Sequence, residues 1–163
     1  MHEIVPVTHL TENQRRTFSC GIVPLDEYFK QFSKGNHLKN IGKTFVLVED
    51  KTIVIGYYTL CMGNIDFRLL PKDFCTKLPK YPIPIARMAR LAVNVGHQRK
   101  RWGEFLLVDA LRRIKQASAS IAAFGVVVDA KDEQAKAFYL RFGFKSFSDN
   151  DLCLFLPIED IEG

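Results

Sequence analysis

The feature that most constrains this chain is the stretch from Ile85 to Leu111. It reads as a strand, Ile85-Ala-Arg-Met-Ala-Arg-Leu-Ala-Val-Asn-Val95, followed by a short basic turn, His97-Gln-Arg-Lys-Arg-Trp102. Gly103 then opens a helix, Glu104-Phe-Leu-Leu-Val-Asp-Ala-Leu111. The first N–H groups of a helix have no intrahelical acceptor, and the macrodipole adds partial positive charge there. A strand that feeds a helix through such a turn suits a phosphate. Three consecutive cations, Arg99, Lys100 and Arg101, sharpen the preference for an anion. An ordinary βα connection with a solvated basic turn fits these residues equally well, so this stretch by itself leaves both readings open.

With 163 residues the chain has room for one domain, 1–163, with a sizeable core. No apolar run is long enough to span a bilayer. Met1-His-Glu-Ile-Val-Pro lacks a basic start followed by an apolar block, so no signal peptide is expected. Cys20, Cys61, Cys75 and Cys153 are scattered and form no CxxC. A disulfide framework or a metal site is therefore not expected, and a cytoplasmic protein with reduced thiols is. The net charge of +5 favours an anionic partner, such as a nucleotide cofactor or nucleic acid, although a merely basic surface accounts for it too.

Before the central stretch, the chain through about Asn40 is polar and then helical by pattern. Leu25, Tyr28, Phe29 and Phe32 fall at helical spacing and would bury one face, with Gly35-Asn36 ending the segment. Thr44–Glu49 and Thr52–Met62 read as two strands around a tight Asp50-Lys51 turn, and Gly56 marks a bulge or a close approach. From Gly63 to Pro84, four prolines leave little room for helix or paired strand, and 78–84 should run extended. After the central stretch, Ala122–Val128 is an apolar strand of the kind buried on both faces. Asp132 fits an N-cap, Ala135, Phe138, Tyr139 and Phe142 one helix face, and Gly143 the C′ position. Phe144–Phe147 and Leu152–Leu156 close the chain as a hairpin. The class is α/β with a mixed sheet.

Several motifs in order resemble the GNAT N-acetyltransferases, and more narrowly the GNAT toxins of bacterial toxin–antitoxin pairs. They are Cys20-Gly21…Leu25-Asp26-Glu-Tyr-Phe29, Gly56-Tyr-Tyr-Thr-Leu60, Leu78-Pro-Lys-Tyr-Pro-Ile-Pro84, Ala89-Arg-Leu-Ala-Val93, and Ala135-Lys-Ala-Phe-Tyr139 with Phe142-Gly-Phe144. The resemblance covers almost the whole chain and implies the GNAT fold with acetyl-CoA as cofactor. In that family a Q/R-x-x-G-x-G/A turn cradles the pyrophosphate. Here Gln98-Arg99-Lys100-Arg101-Trp102-Gly103 takes that place, leading into Glu104. Gln98 and Gly103 match; Arg101 stands where the first glycine usually sits, and Arg99 where this subgroup commonly has another. An arginine with negative φ would still offer its N–H. The backbone of Leu91, Ala92 and Val93 would pair with the pantetheine arm, and Asp132 lies where many members have asparagine.

The implied reaction moves an acetyl group to a primary amine, with direct attack, an N–H near Leu91–Val93 for the oxyanion, and Tyr139 protonating the departing thiolate. A core aromatic is the competing account of Tyr139. Glu3, Asp66 and Asp109 have no motif support as general bases. The toxin resemblance implies aminoacyl-tRNA as substrate, blocked translation, and a ribbon–helix–helix antitoxin as partner; a homodimer is left open. Cations for the phosphate backbone are sought among Arg15, Arg16, Lys34, Lys39, Arg87 and Arg90. Alternation along a strand sends Arg87 and Arg90 to opposite faces, and one of them would pair with a carboxylate if it served structure. The other readings are a GNAT enzyme acting on a protein or small-molecule amine, and an inactive CoA-binding or partner-binding module.

Overall fold

The computed structural model describes residues 1–162. Its strands are β1 (His2–Pro6), β2 (Lys43–Glu49), β3 (Ile53–Ile65), β4 (Ile83–Val93), β5 (Gly125–Asp129), β6 (Lys145–Ser146) and β7 (Cys153–Pro157). They form one seven-stranded mixed sheet in the order β1-β2-β3-β4-β5-β7-β6. The helices are α1 (Glu12–Arg16), α2 (Val23–Glu27), α3 (Ser33–Leu38), α4 (Lys72–Cys75), α5 (Trp102–Ala117) and α6 (Glu133–Arg141), with a π-helical turn, Tyr28–Phe32, joining α2 to α3. By contacts the chain divides into two compact units, Met1–Cys61 with Ala89–Ala110, and Met62–Met88 with the chain from Leu111 on.

In the first unit β1, β2 and β3 are antiparallel neighbours. β1 is absent from the sequence reading, because five residues at a chain end carry too little alternation to announce a strand. Asp50 and Lys51 turn β2 into β3 with φ of 51° and 63°, the paired left-handed conformation that a tight hairpin twist demands. Gly56 satisfies both of its expected roles. The ladder jumps there, from Leu47 opposite Gly56 to Val48 opposite Val54. A Cβ on Gly56 would also stand 2.6 Å from the carbonyl oxygen of Ala92 and 2.8 Å from Leu106 Cδ1. The core beneath is aromatic: the ring centroids of Phe29 and Tyr57 lie 4.6 Å apart, and Phe18 packs on both.

Two expectations about the early helix are corrected. Gly35 does not end it; the helical path continues to Leu38, and Asn40 stops it at φ 60°. The N–H of Ile41 then returns to the Asn36 carbonyl. A glycine inside a helix costs only about 1 kcal/mol, and Gly35 lies exposed with open space beside it. Phe32 is not on the buried face with Tyr28 and Phe29 but 53% exposed. The cause is the π turn, in which the Ser33 N–H bonds the Tyr28 carbonyl, five residues back. That wider turn rotates each residue less, so Phe32 lags behind the apolar stripe.

In the second unit β5 runs parallel to β4 at Ala86 and Arg87 and antiparallel to β7 along five residue pairs. Val126, Val127 and Val128 are sealed from solvent, as a strand covered on both faces requires. The Pro-rich segment is less irregular than expected. β3 continues to Ile65, α4 forms at Lys72–Cys75, and β4 starts at Ile83 and incorporates Pro84. The apolar cluster of Ile65, Leu70, Ile83, Ile85 and Phe155, with Phe74 packed against it, supplies the stabilisation that local propensity withholds.

Candidate active site

The turn after β4 is built by its polar side chains. Asn94 receives the Gly96 N–H on its Oδ1 and donates Nδ2 to the Val54 carbonyl. Gln98 Nε2 donates to the carbonyls of Cys20, at 3.1 Å, and Val93, at 3.0 Å. The matched Gln98 is therefore a brace that fixes where the turn leaves the strand. Beyond it Arg99 and Arg101 both sit at φ 65°. The condition of negative φ is not met: the arginines adopt the left-handed backbone that glycine takes without cost. Lys100 between them does not, so the sign of φ alternates along the turn, as it does in an anion-binding nest. Holding an L-residue there costs roughly 1–2 kcal/mol, and this chain does so twice.

α5 begins immediately after. Its first internal bond runs from the Phe105 N–H to the Arg101 carbonyl, and among the described residues the N–H groups of Trp102, Gly103 and Glu104 have no acceptor. Arg99, Lys100 and Arg101 are exposed around these donors. The Trp102 ring lies tilted against His2, with centroids 4.5 Å apart, and meets Phe105 edge-on. It anchors the helix start. Leu91, Ala92 and Val93 form the end of β4, backed by the notch at Gly56.

Tyr139 lies on α6 in the second unit, 7% exposed, its ring packed on Phe138 and Phe144. Burial raises its pKa well above the ordinary phenol value, so the hydroxyl holds its proton at every physiological pH. Among the described residues that hydroxyl donates to no protein acceptor, and it is not one of the sealed orphan atoms, so it meets solvent. Asp132 accepts the Ala135 N–H at 2.8 Å and caps α6.

The basic candidates divide sharply. Arg15 is buried and donates to the Leu10 carbonyl, while Arg16 pairs with Glu12. Arg87 is the strand arginine held by a carboxylate, Asp129, at 2.9 Å. Arg90 is half-buried, with its Cζ 3.5 Å from the centre of the Tyr28 ring, and its N–H groups have no protein acceptor among the described residues. Lys34 and Lys39 are exposed. Of the carboxylates, Asp109 accepts from the Tyr58 hydroxyl, and Asp66 is held down to a pKa of about 2 by Arg68. Burial and then Asp129 push the Cys153 thiol up to about 12, so it is inert as a nucleophile. An open groove of about 560 Å³ beside Asn64, Arg68, Lys80 and Tyr81 has no signal in the sequence, because only the fold brings its walls together. Among the described residues no cluster fits a metal ion, and no helix is long and apolar enough to cross a membrane.

A family model described as an acetyltransferase (GNAT) domain matches residues 40–146. The chain belongs to the GNAT acetyltransferase family. This acetyltransferase is 33% identical over 144 residues to a tRNA-acetylating toxin of Mycobacterium tuberculosis, covering 88% of this chain and 86% of that one. It is 30% identical to a probable toxin TacT of Sinorhizobium fredii, covering 91% of this chain and 87% of that one. Its structure superposes on a mutant of KacT with TM-score 0.90 and 30% identity, covering 98% of this chain and 96% of that one. It superposes on AtaT complexed with acetyl-methionyl-tRNAfMet with TM-score 0.89 and 28% identity, covering 99% and 97% of the two chains. AtaT has also been solved with acetyl-CoA and the C-terminus of its antitoxin AtaR.

Proposed function

We propose that this GNAT enzyme is a toxin that acetylates the amino group of aminoacyl-tRNA and so blocks translation, its activity checked by a ribbon–helix–helix antitoxin. The observation that carries the reading is the match, along nearly the whole chain, to AtaT solved with an acetylated aminoacyl-tRNA. A cytoplasmic location follows from that substrate. The reading treats 1–163 as one catalytic domain, and the family match from 40 to 146 runs through both compact units.

The residues fit acetyl-CoA, which supplies an activated acetyl thioester when bound. The nest at Arg99, Lys100 and Arg101 and the free N–H groups of Trp102, Gly103 and Glu104 hold its diphosphate. Gln98 keeps the turn in place. The backbone of Leu91, Ala92 and Val93 pairs with the extended pantetheine, and one of their N–H groups polarises the reacting carbonyl. Tyr139, protonated at neutral pH as a phenol is, holds its proton at Oη and gives it to the departing thiolate. KacT and AtaT have both been solved as tyrosine-to-phenylalanine mutants, which supports a tyrosine in this role. Asp132 acts through α6, by fixing the start of the helix that carries Tyr139. Arg90, Lys34 and Lys39 serve the tRNA phosphates, and Arg87 acts through its pair with Asp129.

The test is direct. Purified protein with acetyl-CoA and charged tRNA yields N-acetyl-aminoacyl-tRNA, and Tyr139→Phe lowers kcat by about 100-fold or more, the range of general acid catalysis, with little change in acetyl-CoA affinity. Acetylation of peptides or small amines with charged tRNA left untouched would move the assignment to another amine.

A further inference from the structure

The π turn leaves an arrangement that the acetyl-transfer machinery does not use. Phe32 is 53% exposed, and its ring stacks on Tyr28 at 6.5 Å with 29° between the planes. Tyr28 is only 7% exposed and carries the Arg90 guanidinium on its ring. Asn36 Nδ2 reaches the Tyr28 hydroxyl at 3.4 Å, which fixes that ring further. Arg90 immediately precedes Leu91, at the strand end where the acetyl group is to be held. The exposed ammonium groups of Lys34 and Lys39 follow on α3 and at its C-terminal end. The result is an open aromatic face on a rigid support, with a guanidinium whose donors are uncommitted and further positive charge close by in sequence.

A solitary exposed phenylalanine is common on protein surfaces. This one differs because its support is pinned from two directions and because the cation on that support adjoins the acyl-binding strand. Unpaired nucleotides are recognised in this way, by stacking on aromatic faces while cations take the phosphates. The amino acid of a charged tRNA is esterified to an unpaired 3′ end, so its base must lie close to the strand that presents the acetyl group. A peptide or small amine would bring no base to such a surface.

We propose that Phe32, shelved on Tyr28 beside Arg90, is the stacking platform for a base of the unpaired 3′ end of the substrate tRNA. The proposal rests on the substrate reading above and adds a positioning residue that the sequence placed in the core. Steady-state kinetics of Phe32→Ala and Phe32→Trp with charged tRNA and acetyl-CoA test it. Phe32→Ala raises KM for charged tRNA about tenfold, within the range of base–aromatic stacking. It leaves kcat, KM for acetyl-CoA and the melting temperature near wild type, and Phe32→Trp restores tRNA affinity. An unchanged KM for charged tRNA in Phe32→Ala would overturn the platform, as would parallel rises in both KM values or a melting temperature that falls with them. A normal tRNA KM combined with weakened inhibition by the antitoxin would assign Phe32 to a protein contact instead. A wild-type enzyme that acetylates another amine but not charged tRNA would overturn the substrate reading, and the platform with it.

Discussion

Arg101 stands where its family usually has glycine, and its backbone behaves as though glycine were there, at φ 65°. The side chain thus works against the turn it occupies, and it is retained for charge or for nothing. Arg101→Gly separates the two. Relief of the left-handed strain, less the entropy that glycine loses on folding, should stabilise the protein by about 0.5–1 kcal/mol. Acetyl-CoA should bind more weakly if the guanidinium serves the diphosphate. Thermal unfolding and a titration with acetyl-CoA read the two effects independently, and a destabilised variant would show that the strain argument is wrong. At this scale Gly56 was legible, because a glycine within a strand carries a specific physical demand. The fates of Arg87 and Arg90 were not. Alternation says that they diverge, but only the fold brings Asp129 to one and the Tyr28 ring to the other.

Elements are held at their ends, and two of these ends make measurable predictions. Asp132 caps α6 through the Ala135 N–H. Asp132→Ala should cost about 1 kcal/mol of stability while leaving acetyl-CoA affinity close to wild type; a large loss of affinity with unchanged stability would make Asp132 a ligand rather than a cap. His37, near the end of α3, is 9% exposed and accepts the Thr44 N–H on Nδ1, which ties that helix to the start of β2. Burial and then Lys43, whose Nζ reaches the His37 carbonyl, lower its pKa from 6.5, while Phe45 covers the ring edge-on. The folded state therefore binds this proton less readily than the unfolded chain. Stability from His37 is complete above about pH 6.5 and falls as acid protonates the unfolded chain first. Urea midpoints at pH 7.5 and 5.5 should show that loss. His37→Asn, which keeps an acceptor that cannot titrate, should flatten it, and an equal slope in the variant would sink the assignment. The helix at 23–38 was legible as a period of apolar residues, but its π turn was not. Periodicity assumes one rotation per residue, and no side chain announces where that rotation changes.

For the molecule as a whole, a net charge of +5 acting on the proposed tRNA substrate should make recognition depend on salt. Raising the salt from about 50 to 200 mM should increase KM for charged tRNA with a straight log–log slope, while a short aminoacyl oligonucleotide shows a shallower one. Equal slopes for the two would place all the phosphate contacts at the 3′ end and remove Lys34 and Lys39 from the interface.

The sequence by itself determined the strand–turn–helix that carries the candidate diphosphate site, the hairpin before it, and the strand, helix and closing hairpin after it. Those features are local. They depend on which residues adjoin along the chain, on hydrophobic period, and on caps and turns within a few positions. Only the tertiary structure decided that Arg99 and Arg101 take the backbone of glycine, that Arg15 is buried while Phe32 is not, and that the Pro-rich segment folds onto an aromatic cluster. The last of these is set by apolar packing among residues distant in sequence, and the exposure of Phe32 by where the π turn falls; packing and helix geometry of this kind override the preference of a single residue by about a kilocalorie or more.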